Sequence, residues 1–465
     1  MIPQPDRSLL ASGASGQGIG ETYAALLDRV HRVLGSGSTD RLGPMTRVEV
    51  DAPPVDLLRW LAAQYRLPRI YWADREGSRS MAGVGFADRL DLRADMTPAM
   101  LLQRAAGRLH GRDPTLRYYG GFRFDPYAPV SAQWSAFGRG WLVLPRFEML
   151  ECDGHVRLAC NLFPGRDSAE RIAGELRLLA AVATELAVPV DRTVRSDLPT
   201  RRDWPYLVER VGAELRSGAL RKIVLARRSD WNFATPVPPL GLLRMLSQNS
   251  GPCFRFCFDP DGESAFVGAT PERLFRRAGR LVFSEALAGT RPRGASEPDD
   301  ERLRQEMLDC EKERLEHRLV VHHLVSRLTP LADHLVKDPQ LSVLRLPRLQ
   351  HLRTEIHGPL GDGVDDAMLL EALHPTPAVA GDPPTRAVER IRTLEPFDRG
   401  WYAGPVGYVG AEDSEFAVAI RSALVHERSV SLYVGAGIVA ASRAAAEWHE
   451  LESKSAAVQS GWADG

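Results

Sequence analysis

EFAVAIRSALVHERSVSLYVGAGIV (415–439) holds two strand-like runs, EFAVAIRSALV (415–425) and SVSLYVGAGIV (429–439). β-branched and aromatic residues favour extended backbone in both. Only His426-Glu427-Arg428 separates them, far too short for the crossover that a parallel pair needs. The two runs therefore predict neighbouring antiparallel strands. Working outward, RKIVLARRSDW (221–231), FRFCFD (254–259), SAFVGA (264–269) and RLVFSE (280–285) read as further strands, and long helices are expected at about 299–328 and 444–459. Strand pairs on short turns, interrupted by long helices, give an α+β fold with large, mostly antiparallel sheets flanked by helices.

The first part of the chain is more mixed. TPAMLLQRAAGRL (97–109) has helical spacing behind a capping Thr97, and SAERIAGELRLLAAVATEL (168–186) reads as one amphipathic helix. GWLVLPRFEML (140–150) and HVRLACNLF (155–163) predict a hairpin turning at Asp153-Gly154. Residues 1–20 read as a loose tail, and the polar, aperiodic AVPVDRTVRSDLPTRRD (187–203) as a linker. The expected organisation is a tail (1–20), a first half (21–200) and a second, more strongly patterned half (201–465) packed into one unit.

With 59 basic and 60 acidic residues the chain is near neutral, so nothing draws it to nucleic acid or a membrane surface. An anionic substrate would need a local cationic cluster. No run approaches the ~18 apolar residues of a membrane span, and the start lacks a secretion pattern; a cytoplasmic protein is expected. The five cysteines, among them Cys253 and Cys257, show no disulfide or metal spacing and read as reduced core thiols. Only four of the basic residues are lysine: Lys222, Lys312, Lys337 and Lys454. Arginine is effectively never deprotonated, whereas lysine can serve as a base, so each lysine is a position to inspect.

Three features could carry chemistry. Glu313 and Glu316 share a helix face, as do Glu447, Glu450 and Lys454. Carboxylates on two helices suit a hard cation such as Mg²⁺, although a solvated helix face has the same pattern. Ala288-Gly289-Thr290 and Gly435-Ala436-Gly437 put glycine inside strand patterns, which marks a ligand approach or a bulge. Lys222 enters an apolar strand, where desolvation would favour a neutral base if the amine does not reach water.

Taken in order, LRKIVLARR (220–228), FVGATPERL (266–274), EALAGTRPRG (285–294), EKERLEH (311–317), LQHL (349–352), ALHPTPAVAG (372–381), EPFDRGWYAGPVGY (395–408), AVAIRSA (417–423), VGAGIV (434–439) and EWHELESK (447–454) resemble the chorismate-binding enzymes. That family comprises isochorismate synthases, salicylate synthases and the anthranilate synthase large subunit, whose fold the resemblance implies. GGFRFDP (120–126) resembles the first half of isochorismate synthases. The resemblance implies Lys222 as the base activating water, Glu272 as the acid protonating the leaving hydroxyl, and His351 as an active-site histidine. It implies Glu316 and Glu450 as Mg²⁺ ligands with Glu313 and Glu447 beside them. Gly289, Thr290, Tyr402, Arg421, Gly435 and Lys454 fall around the substrate's carboxylates.

Two positions bear on the reaction. Ammonia-using relatives carry Gln where this chain has Lys222, and salicylate synthases tend to carry Thr where it has Ala378. The combination resembles an isochorismate synthase that adds water to chorismate and hands its product to an isochorismate-pyruvate lyase or another isochorismate-using enzyme. Salicylate synthesis and a silent chorismate-binding protein are the alternatives. Leu315, Glu313 and His449 depart from the family's usual His, Asp and Arg.

Overall fold

The computed structural model describes residues 15–35, 45–187, 192–248 and 250–459. Its strands form one continuous hydrogen-bonded sheet in which the pairings are antiparallel. The sheet forks at the long strand Gly140–Cys152. One edge of that strand lies along Arg79–Asp91; the other is shared by Arg117–Phe122 and His155–Leu162. From the fork, a first arm runs through Arg69–Ala73, Phe254–Asp259, Ser264–Thr270, Ser422–His426 and Ser429–Ile438 to Lys222–Phe233. A second arm runs from Arg117–Phe122 through Pro405–Gly410, Asp413–Val418, Arg273–Ala278 and Leu281–Pro292 to Leu349–Pro359.

Strand alternation separates two cores. Ile70, Trp72, Phe254, Phe256 and Phe258 point into the core that also takes Trp141 from the fork strand and Phe122 and Phe416 from the second arm. Their neighbours Tyr71, Ala73 and Cys257 face the other way, against helices that supply Ile19, Leu26, Trp60 and Leu243. Cys253 and Cys257 are buried and free, as expected of core thiols. No helix among the described residues is long and apolar enough to cross a membrane.

The predicted hairpin of the opening stretch exists as Ser422–His426 paired with Ser429–Ile438. Its first run is not one strand, however. Asp413–Val418 belongs to the second arm and Ser422–His426 to the first, and the chain crosses between them at Ala419–Arg421, where Arg421 is left-handed (φ 50°). ATPERL breaks in the same way: Ser264–Thr270 and Arg273–Ala278 lie in different arms, joined by Pro271-Glu272. The crossings are bonded together, because the Val418 N–H donates to the Glu272 carbonyl (3.0 Å) and the Ala269 N–H to that of Arg421 (3.2 Å).

Other expectations need correction. Residues 1–14 of the expected tail lie outside the described residues, but 15–20 open the helix Ser15–Gly35, anchored by buried Ile19. The expected linker contains the strand Arg192–Leu198, paired with Lys222–Phe233. The helix expected over 168–186 stops at Arg177. Beyond it, the Gln64 side chain bonds both the N–H (3.0 Å) and carbonyl (3.1 Å) of Ala180, and Arg59 bonds the Ala183 carbonyl (2.8 Å). These partners replace the helical ones. The helix expected over 299–328 is two, Glu297–Asp309 and Glu311–Leu328, broken at extended Cys310. In the first helix Asp300 accepts from Arg293 (2.6 Å) and the Gly294 N–H (2.9 Å), while the second helix lies on Leu281–Pro292. The Asp153-Gly154 turn and the Thr97 cap form as expected; both turn residues have positive φ, and Thr97 accepts from the Met100 N–H (3.2 Å).

Candidate active site

The two crossings, the starts of Lys222–Phe233 and Glu311–Leu328, and the helix Ala444–Gln459 surround a pocket of about 970 Å³, its mouth included. Lys222, Glu272, Gly289, Thr290, Glu313, Glu316, His351, Ala378, Tyr402, Arg421, Gly435, Glu450 and Lys454 all line it. Of the residues that the resemblance placed at the site, Glu447 alone is not among its walls. It lies buried beside the pocket and accepts from Lys312 (2.6 Å).

Glu272 is 5% exposed. Burial and the neighbouring Glu285 raise its carboxyl pKa to about 8, against the downward pull of Lys222, Lys454 and Arg421. At neutral pH it therefore keeps its proton, as a general acid must. Lys222 is 2% exposed, with Nζ 3.6 Å from Glu316 Oε2. A Cβ on Gly437 would come within 2.8 Å of Lys222 Cε and 3.0 Å of that carboxylate oxygen, so the facing strand must carry glycine there.

Gly289 is a bulge, and it lines the pocket. The ladder with Leu349–Pro359 shifts register between Ala288 and Thr290, and Gly289 takes φ 76°. The bulge turns the Gly289 carbonyl to His351 Nδ1 (3.1 Å), which also meets Thr290 Oγ1 (3.1 Å), while Arg421 Nη2 lies 2.5 Å from Nε2. A carbonyl only accepts and a guanidinium only donates, so the ring is neutral with its proton on Nδ1. Burial and the charge of Arg421 hold its pKa well below the usual histidine value. With both nitrogens engaged, His351 holds Arg421 in place and has no lone pair for general-base work. Arg421, strained into the left-handed region, and Lys454, which donates to the Gly435 carbonyl (2.8 Å) and Glu450 (2.8 Å), put cationic charge on the pocket wall.

The carboxylates are held by cations. Lys312 lies between Glu447 and Glu316 Oε1 (3.8 Å), and Arg291 holds Glu313 (3.1 Å). Burial lifts Glu313 to about 7, partly offset by Arg291. Among the described residues, no three His, Cys, Asp or Glu side chains converge as a ready-made metal cluster. Glu316 and Glu450 still offer what a hard cation takes: carboxylate oxygens on a polar wall, with space for water and ligand oxygens. Lys312, one of the four lysines marked for inspection but given no role from sequence, also lines the pocket. Leu315 is 40% exposed and His449 lies on the surface, so neither departure from the family pattern reaches the pocket.

A family model described as chorismate binding enzyme matches residues 34–461. The chain is 35% identical over 411 residues to the isochorismate synthase MenF of Escherichia coli, covering 87% of this chain and 90% of that one. It is 36% identical to isochorismate synthase 2 of the Arabidopsis thaliana chloroplast over 74% of this chain and 64% of the plant protein's length. The solved structure of E. coli MenF, described as the menaquinone-specific isochorismate synthase, superposes with TM-score 0.83 at 32% identity, over 95% of this chain and 99% of that one. Anthranilate synthase component I of Streptococcus pneumoniae shares the fold at 19% identity, over 89% of this chain and 92% of that one (TM-score 0.66).

Proposed function

The chain belongs to the chorismate binding enzyme family, and from there we propose that it converts chorismate to isochorismate with Mg²⁺ bound. The carrying observation is a buried lysine and a buried glutamate, protonated at neutral pH, lining one pocket with a cationic rim. In this reading Lys222, as the neutral amine, takes a proton from the water that attacks C2 of the ring. Glu272 gives a proton to the hydroxyl leaving C4, which departs as water. One water enters and one leaves, so the reaction is an isomerisation. Arg421, held by His351, pairs with the enolpyruvyl carboxylate through its planar fork. Tyr402, Gly435 and Lys454 bound the same space, and Thr290 helps hold His351.

Glu316 and Glu450 would hold Mg²⁺, with Glu313 and Glu447 beside them; the ion supplies positive charge for the ring carboxylate. Glu316→Gln or Glu450→Gln should each weaken Mg²⁺ binding by roughly tenfold or more with the fold intact, by analogy with the 10–100-fold cost of losing even outer-shell partners. Titration calorimetry and circular dichroism read the two effects; undiminished Mg²⁺ binding in both variants would show ordinary solvated carboxylates.

Ala378 lines the pocket where a hydroxyl-bearing residue would favour pyruvate loss, so the expected product is isochorismate, passed to a separate isochorismate-using enzyme such as an isochorismate-pyruvate lyase. A cytoplasmic setting belongs to the proposal, consistent with five unpaired cysteines. The test is purified protein with chorismate and Mg²⁺, with and without ammonium, followed by mass analysis. Isochorismate should form at a rate indifferent to ammonium. An aminated product would overturn the choice of water, and salicylate with pyruvate would move the chain to the neighbouring reaction.

A further inference from the structure

Pro271 and Glu272 sit in a crossing where no ladder satisfies their backbone, so every polar group there needs another partner. Thr270 Oγ1 donates to the Val418 carbonyl (2.7 Å) and accepts from the Glu272 N–H (3.3 Å). The Glu272 carbonyl takes the Val418 N–H. The Pro271 carbonyl is reached from the other half of the chain: Arg75 Nη1 donates to it at 2.9 Å, and the same nitrogen bonds the Glu285 carboxylate. Glu285 also accepts from the Arg273 N–H (3.3 Å) and Arg353 Nε (3.0 Å). The next residue, Glu76, accepts from the Arg273 guanidinium (2.8 Å). Arg75 and Glu76, on the turn between Arg69–Ala73 and Arg79–Asp91, thus grip the residues on both sides of Glu272.

Arg75 is 8% exposed and Glu285 4%, so both charges have lost most of their water. Desolvation offsets much of the attraction in such a pair, which makes fold stability alone a weak reason for it. Its geometry is specific: one guanidinium spans the residue before Glu272 and the carboxylate that holds the residue after it.

We propose that Arg75, acting through the Pro271 carbonyl and Glu285, is a positioning residue for Glu272, so that the first half of the chain sets the geometry of proton delivery. This rests on Glu272 being the acid. Misplacement of a reacting group by about 1 Å can cost on the order of 10²-fold in rate. Arg75→Met should therefore lower kcat about tenfold to a hundredfold while KM changes less than about threefold. Arg75→Lys, which keeps one donor, should recover part of the loss and carries the test if the methionine variant fails to fold. In a Glu272→Gln background, either Arg75 change should have almost no further effect on the residual rate, because the group it positions no longer delivers a proton. An equal fold-loss in both backgrounds, a change in KM alone, or unchanged kcat in a folded Arg75→Met protein would each overturn the proposal. If Glu272→Gln itself turned over at full rate, the acid assignment would fall and this inference with it.

Discussion

Lys222→Arg should fold, bind Mg²⁺ and lose roughly 10²–10⁴-fold in kcat, the usual contribution of a general base. Arginine keeps the positive charge but supplies no group that deprotonates. Space adds a second reason for a loss. Lys222 is 2% exposed, its Cε lies 2.8 Å from where a Gly437 Cβ would stand, and Glu316 is 3.6 Å from Nζ. A guanidinium has little room there, so Lys222→Gln is the needed companion: smaller, uncharged and equally unable to act as a base. Both variants should be slow, and single-turnover kinetics should place the loss in the chemical step. Should Lys222→Arg keep more than about a tenth of wild-type turnover, Lys222 would be an electrostatic contact only. The replacement would not be His351, whose nitrogens are taken by Arg421, Gly289 and Thr290. Lys312 and Lys454 would be the remaining amines in the pocket wall.

What was legible in the sequence follows from the range of the forces involved. The Thr97 cap and the Asp153-Gly154 turn depend on a few adjacent residues, and both form where the pattern puts them. The strand Arg192–Leu198 reads as linker because its polar residues find partners far along the chain: Ser229 Oγ, 32 residues on, donates to Asp197 (2.6 Å), and Arg195 reaches Glu452 (2.8 Å) on the helix Ala444–Gln459. The early stop at Arg177 depends on Gln64 and Arg59, more than 100 residues away in sequence. Both of these misread elements are locally ambiguous and decided by distant side chains.

The site divides the same way. Spacing could place Glu313 with Glu316 and Glu450 with Lys454, since each pair shares one helix, but not Glu447, turned to Lys312 on another helix. Resemblance carried Glu272 and Arg421 into the pocket without showing why they meet. They meet because the chain passes between the arms of the sheet twice, at Pro271-Glu272 and at Ala419–Arg421. Alternation does not mark the second passage, which splits EFAVAIRSALV, whereas Pro271 punctuates the first. Arg75 leaves no local signal, since its contact with Glu285 spans 210 residues.

Glu272→Gln should be nearly inactive yet more stable than the parent at neutral pH. Loss of the proton donor should cost roughly 10²–10⁴-fold in kcat. The pH dependence fixes the assignment. The parent needs Glu272 protonated, which holds below its folded pKa of about 8, so kcat/KM should fall as pH rises through about 8. The arriving chorismate dianion places negative charge near the carboxyl and favours the protonated form, so the basic limb of kcat should lie no lower than that of kcat/KM. Stability runs on the same group. Unfolded, the carboxyl titrates near 4.5; folded, near 8; in between, the native state holds one proton more than the unfolded chain. The parent must therefore lose stability as pH rises across that interval, and the glutamine variant, with nothing to ionise, avoids that loss. At pH 7 the variant should gain on the order of 1–3 kcal/mol, a gain that shrinks toward pH 4.5. Denaturant unfolding at pH 5 and pH 7 measures it, and initial rates from pH 6 to 10 measure the limb. A glutamine variant with parental turnover, or a parent active without decline to pH 10, would remove Glu272 from the chemistry and leave it a buried carboxyl lining the pocket.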